Sequence, residues 1–296
     1  MRTWEQKMSL KDQAAHLTMT RPHLMSHDSA ARILGLPMLH PPGPLVHVTR
    51  FGVGGSRTQD GVKHHLTRLG LLGTTNRDSM RATSVARTAL DLGREHGFVA
   101  GTVAIDAARQ RGIEVADLES ELIPMWCWPG ITDARAALEN SDPDAQSIGE
   151  TLLRLFLCEL GLGDVETQFP VQVGSTVFWC DLRVGRQLYE FDGKLKYLRP
   201  NVGGVAEKDP AEVVWEEKRR QDAICAQQLG MSRVVWDELF GTQRSRLGVR
   251  LRAEHAGTTE LFGDRLPDAL ANNAKRLRKA RQELAQRNRA TRQRQL

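Results

Sequence analysis

Between Gln168 and Asp192, three apolar-rich runs are separated by turns too short for anything but a reversal of the chain. The runs are Gln168 to Val173, Thr176 to Arg183 and Gln187 to Asp192, with Gly174-Ser175 and Val184-Gly185-Arg186 between them. Glycine-bearing connections of two or three residues join adjacent antiparallel strands. The stretch therefore predicts an antiparallel meander. A helix precedes it, because Leu152, Leu153, Phe156, Leu157 and Leu160 recur at helical spacing between Ser147 and Gly161, where glycine supplies the stop. Ala211 to Leu229 reads as a second helix ended by Gly230. Ser232-Arg233-Val234-Val235-Trp236 then reads as a buried fourth strand, and Asp237 as the cap of a final helix. Helix, three strands, helix, strand is the order of an α/β sandwich around one mixed sheet.

The N-terminal half has a different texture. Residues 1–25 are polar with scattered apolar positions and predict one or two short helices. Ser26 to Leu36 reads as a capped helix stopped by Gly35-Leu36-Pro37, and Leu45 to Thr49 has strand character after a proline-rich turn. Alanine- and leucine-rich helical periodicity fills residues 81–110, and Thr132 to Leu138 predicts a further helix. Asn140-Ser141-Asp142-Pro143-Asp144 has the composition of a linker. The expected organisation is an N-terminal extension (1–25), a mainly helical domain with a small β element (26–140), the αβββαβ domain (146–240) and a basic helical tail (241–296).

At 296 residues, 40% hydrophobic and 26% charged, the chain has the make-up of a globular protein of two ordinary domains. No apolar run reaches the roughly 18–20 residues that cross a bilayer, and the N-terminus lacks the apolar stretch of a secretory signal. No membrane association and a cytoplasmic location are the expectation. The four cysteines form no Cys-x-x-Cys pair, which argues against a zinc ribbon or a disulfide framework. All nine histidines lie outside residues 97–254, so a histidine-metal nuclease centre has no place near the strands described above. The net charge of +5 is uneven: residues 275–296 carry nine Lys or Arg against Glu283 alone, leaving residues 1–274 at −3. Such a tail offers either salt-sensitive contact with nucleic-acid phosphates or a merely solvated helix.

Asp181, Glu190 and Asp192 interrupt the strand runs. An ionised carboxylate withdrawn from water needs a cation or donors, and cross-strand carboxylates approach to about 5 Å. A hard divalent ion, Mg²⁺ or Mn²⁺, held by Asp181, Glu190 and Asp192 would satisfy them and equip the site for phosphodiester hydrolysis. Solvation at strand ends, or pairing with Arg183, Arg186 or Lys194, is the plain structural alternative. Glu150 has its own, since Ser147-Ile-Gly-Glu150 fits a capping box. Lys218 stands four residues before Asp222, in reach of either a surface ion pair or a substrate phosphate.

Residues 147–240 resemble a nuclease-like family related to very-short-patch-repair endonucleases, within the PD-(D/E)XK restriction-endonuclease-like superfamily. The resemblance is carried by Ser147-Ile-Gly-Glu150, by Asp181, by Glu190-Phe191-Asp192-Gly193, by Lys218-Arg219-Arg220-Gln221-Asp222 and by Leu229-Gly230-Met231-Ser232-Arg233-Val234-Val235. It implies a DNA-cleaving, metal-dependent enzyme with Glu150, Asp181 and Glu190 at the acidic positions and Asp192 beside them. The superfamily has lysine two residues after the second strand acid, where this chain has Asp192. Lys194, Lys196 or Lys218 would then supply the missing cation. The segments Leu24 to Ala31, Gly35-Leu36-Pro37 and Ala86 to Leu92 are similar to actinobacterial proteins that join such a domain to a region like the AbiEi antitoxins of type IV toxin–antitoxin systems. That likeness implies two roles: a nuclease in phage defence or mobile-element biology, or a non-catalytic antitoxin or transcriptional regulator with a cognate toxin protein as partner. Twenty-five residues before Ser26 leave little room for the winged helix-turn-helix that often precedes such a region.

Overall fold

The computed structural model describes residues 3–39, 43–50, 55–66, 73–77, 79–193 and 210–293, the last range without the side chains of 210–214 and 288–293. Its chain divides into two compact units, Met1–Thr151 and Leu152–Leu296.

In the first unit, helix α1 (Trp4–Thr18) leads to strand β1 (Leu24–Met25), helix α2 (His27–Leu34) and strand β2 (Val46–Arg50). Four short strands follow: β3 (Arg57–Gln59), β4 (Val62–Leu66), β5 (Thr74–Arg77) and β6 (Met80–Thr83). Helices α3 (Val85–His96), α4 (Phe98–Gln110), α5 (Val115–Leu122) and α6 (Ile131–Glu139) come next, and α7 (Ile148–Leu160) begins near the end of the unit. The strands form one six-stranded sheet in the order β3-β4-β2-β1-β6-β5. β1 is parallel to β6 and antiparallel to β2, and β2 is parallel to β4.

The β part is thus larger than the small element expected. β1, from the segment expected as an N-terminal extension, lies near the middle of the sheet, and Trp4–Thr18 form one continuous helix. Asp12 on α1 anchors that helix: its carboxylate accepts from Ser29 Oγ at 2.6 Å and from Arg32 Nε at 2.8 Å, both on α2. The helix expected from Ser26 is α2, stopped by Gly35 in the left-handed conformation at φ 63°.

Helices α3, α4 and α6 approach closely because glycine and alanine line their contacts. A methyl group added at Gly101 would stand 2.6 Å from Gly93 Cα and 3.0 Å from Ala137 Cβ. Leu90, Ala104, Ile105, Ala134 and Ala137 are all fully buried around this crossing.

The second unit holds the expected order. After the body of α7 come β7 (Glu166–Val173), β8 (Thr176–Val184) and β9 (Gln187–Asp192), then α8 (Pro210–Cys225), β10 (Gly230–Val235), α9 (Gly241–Phe262) and α10 (Asp268–Gln293). The sheet order is β10-β9-β8-β7. β7, β8 and β9 form the antiparallel meander, while β10 runs parallel to β9 with Arg233 paired to Glu190. Successive residues of β9 face opposite sides. Leu188 packs with Phe169, Val171, Cys180, Ile224 of α8 and Ala274 of α10. On the other side α9 bonds to the sheet through Thr258 Oγ1 to Gln187 Oε1 (2.5 Å) and His255 Nδ1 to the Tyr189 hydroxyl (3.3 Å).

The basic C-terminal helix is therefore part of the second unit's core on one flank. Arg278 reaches Glu166 at 2.9 Å and the Thr167 carbonyl at 3.0 Å, and Arg281 lies 4.3 Å above the Trp179 ring. Lys275 and Lys279 are exposed.

The close α3–α4–α6 crossing makes Gly101→Ala an overpacking substitution, expected to cost about 1–3 kcal/mol in urea denaturation. Gly257→Ala on α9 meets open space. It should instead stabilise its own unit by up to about 1 kcal/mol through helix propensity. A neutral Gly101→Ala would show that the crossing yields freely.

Candidate functional site

The acids of the second unit are placed by the β8–β9 ladder. That ladder pairs Leu182 with Tyr189, Arg183 with Leu188 and Val184 with Gln187. Just beyond it, Asp181 Oδ2 accepts the Phe191 N–H at 2.8 Å, so this carboxylate is tied to the strand that carries Glu190. Glu190 is buried, 8% exposed, and receives a charged hydrogen bond from Arg220 Nη2 on α8 at 2.6 Å. Arg220 is itself oriented by Glu217 at 3.6 Å and by the Phe178 ring, whose centroid lies 5.5 Å away. Arg233, beside Glu190 on β10, bonds to Glu217 at 2.7 Å.

Alternating acids and arginines thus run from β8 across β9 to β10 and α8. Burial is the main reason that the Glu190 carboxyl holds its proton above the ordinary glutamate range; Arg220 opposes the shift and the Asp181 charge adds to it. Burial likewise pushes the neighbouring Cys180 thiol up to about 12, which makes it inert.

The other expected residues fall as follows. Asp192 ends β9, paired in register with Val235. Lys218 stands exposed on α8. Lys194 and Lys196 lie outside the described residues.

Glu150 belongs to the first unit, at the start of α7. Its Oε1 accepts from Ser147 Oγ at 2.9 Å, its Oε2 accepts the Gln146 N–H at 2.9 Å, and its own N–H donates to Ser147 Oγ at 3.2 Å. These are capping bonds, and they satisfy donors that a helix start leaves open.

Chemically, Asp181 and Glu190 offer hard oxygen donors of the kind Mg²⁺ or Mn²⁺ prefers. Glu190 already has a guanidinium against it. Among the described residues, however, the one set of three ligand-type side chains whose donor atoms lie within 4.8 Å of each other is in the first unit: His27, His47 and His65. Sequence reasoning used the histidines only to exclude them from the acidic region. The available signal was Val46-His47-Val48 and His64-His65, imidazoles inside short strand-like runs where polar side chains are costly to bury.

The raised Glu190 proton affinity has a stability consequence. The folded chain binds this proton more tightly than the unfolded chain. Stability is therefore lost as pH rises from the ordinary value of 4.5 through the folded value. Glu190→Gln should consequently be as stable as the wild type or more so at pH 7, with the difference shrinking as pH falls toward 4.5. Chemical denaturation of both proteins across that range measures it. Strong destabilisation at pH 7 would mean that the Arg220 pair outweighs burial.

No family model and no curated protein matches the chain.

Proposed function

We propose that the second unit is a metal-dependent nuclease domain of the restriction-endonuclease-like kind, acting on phosphodiester bonds in DNA. The observation that carries this reading is Glu190, a buried carboxylate held next to Asp181, with its proton affinity raised by burial and by that second acid. Perturbed acids paired across neighbouring strands are a frequent mark of chemistry. The order of helices and strands and the parallel β9–β10 pair support it.

In this reading Asp181 and Glu190 hold Mg²⁺ or Mn²⁺, with Asp192 at the same ion directly or through water. The ion would polarise a phosphoryl oxygen and make a bound water nucleophilic. Glu190 must give up its proton to bind, and the nearby Arg220 favours that ionisation. Lys218, exposed one turn from Asp222, stands ready to meet a substrate phosphate; Lys194 and Lys196 are further candidate cations from the sequence alone. Glu150 is assigned to helix capping.

The test is cleavage of single-stranded, duplex and mismatched DNA, and of RNA, with either metal. Asp181→Asn and Glu190→Gln should each lower the rate about 100-fold or more, equivalent to roughly 2.7 kcal/mol of transition-state stabilisation. Wild-type activity in both variants would remove these acids from the chemistry.

A second reading has its own support. Asp192 stands where the superfamily has lysine, and Arg220 already neutralises Glu190. Both fit a non-catalytic antitoxin or transcriptional regulator of the AbiEi type that keeps a nuclease scaffold and binds a cognate toxin protein or DNA. Calorimetry with Mg²⁺ and Mn²⁺ separates the two: heat of binding that disappears in Glu190→Gln supports the enzyme, and silence supports the regulator.

In either reading the exposed lysines of α10 meet DNA phosphates. Lys275→Gln combined with Lys279→Gln should weaken DNA binding and flatten its log–log salt dependence by about one unit for each phosphate no longer neutralised. An unchanged slope would put the phosphate-binding surface elsewhere.

A further inference from the structure

We infer that His27, His47 and His65 form a transition-metal site, best suited to Zn²⁺, that ties the start of α2 to strands β2 and β4. The three residues come from separate elements and are all buried, at 2%, 3% and 9% exposure. Their donor nitrogens fall within 4.8 Å of one another. His47 Nδ1 and His65 Nε2 are 3.2 Å apart. Two nitrogens bound to one tetrahedral zinc at about 2.0–2.1 Å stand roughly 3.3 Å apart, so this pair already has the spacing of two ligands. A hydrogen bond between neutral imidazoles has a similar length; the third imidazole within 4.8 Å is what makes a metal set of the group.

His27 occupies the first position of α2 with φ at +48°, a left-handed backbone seldom used outside glycine. That conformation costs on the order of 1 kcal/mol and persists where surrounding structure demands it. Here it carries the ring onto His65, with centroids 3.7 Å apart and planes inclined by 14°. Ser26 Oγ lies 3.1 Å from His27 Nδ1, an outer contact of the kind that fixes the tautomer of a ligating histidine and directs Nε2 inward. Asp91 Oδ1 is 3.9 Å from His27 Nε2 and is fully buried, held by Arg87 and Arg94. It places negative charge beside the centre while remaining committed to its arginines. Loading the site turns the His27 ring out of the stack, because parallel imidazoles present parallel lone pairs.

The electrostatics agree with the geometry. Burial lowers the proton affinity of all three rings, that of His65 to about 4. Each therefore offers a lone pair at neutral pH without proton competition. Three imidazoles and no thiolate select Zn²⁺, Co²⁺, Ni²⁺ or Cu²⁺ over Mg²⁺ or Ca²⁺. This ion is thus distinct in chemistry and in place from the one proposed for the acids. Its role is to pin a strained helix start to two parallel strands, with water as a fourth ligand.

The test uses the full chain, freed of metal by a chelator and titrated with Zn²⁺ and Co²⁺. One equivalent should bind at sub-micromolar Kd, Co²⁺ should give the visible absorption of a four-coordinate site, and X-ray absorption should count three imidazoles. His47→Ala and His65→Ala should each weaken binding at least 100-fold. His64→Ala, on the same strand but outside the group, should leave it unchanged. Zinc should also raise the thermal midpoint of the wild type and not of His65→Gln. Should the alanine variants fail to fold, the wild-type cobalt spectrum and imidazole count decide. A folded wild type that binds neither ion overturns the inference, as does binding that survives in folded His47→Ala and His65→Ala.

Discussion

A charge buried away from water must be answered where it stands, and both units are arranged around that requirement. In the first, Asp91 is fully buried between Arg87 and Arg94, whose guanidinium groups lie 4.9 and 4.8 Å from the centroid of the Trp128 ring. In the second, Glu190 is answered by Arg220, and Arg220 by Glu217. Removing Arg220 would leave a buried carboxylate uncompensated, whereas removing Glu190 leaves Arg220 still beside Glu217. Arg220 thereby ties α8 to β9, while the Arg87–Asp91–Arg94 group lies within α3 and reaches its surroundings through the Trp128 ring and the Pro129 carbonyl.

The second unit is largely readable because its turns are. Gly174 and Gly185 both adopt positive φ, at 59° and 54°, and two such tight turns leave one way to pair three strands. The parallel fourth strand follows from a helix that stops and an apolar run that starts. The charge run at the C-terminus conceals its apolar side. Leu270 and Ala274 pack against the Phe169–Leu188 core, while Arg278 and Arg281 of the same helix lie over aromatic rings with their heads still paired. Long basic side chains cover apolar surface in this manner without losing solvation of the charge. Counting charge along the chain does not reveal it.

The first unit is less readable for a different reason. β1 has two residues, β3 is Arg-Thr-Gln and β5 is Thr-Thr-Asn-Arg, with no alternation to mark a strand. β3 and β5 are edge strands paired with the next strand along, β4 and β6, while β1 takes its partners β2 and β6 from far along the chain, which local propensity does not encode. The histidine group has the same character: residues 27, 47 and 65 meet only once β2 and β4 are parallel neighbours. Glu150 is readable in both senses, and its bonds to Ser147 and Gln146 are those of the capping alternative.

The two candidate centres differ in what holds them ready. Acids in the second unit are stabilised in the absence of metal by Arg220 and by the Phe191 N–H. A cation arriving there competes with partners already made, so weak, exchangeable binding is the physical expectation. The imidazoles of the first unit are neutral at pH 7 and chiefly face one another, with rings stacked or tilted at 3.7 to 5.7 Å. Their present partners are neutral, His47 with His65 and His27 with Ser26, so an ion there would displace no charged pair. Hard oxygen donors with a built-in counterion suit an ion that comes and goes with substrate; packed nitrogen donors suit one that stays.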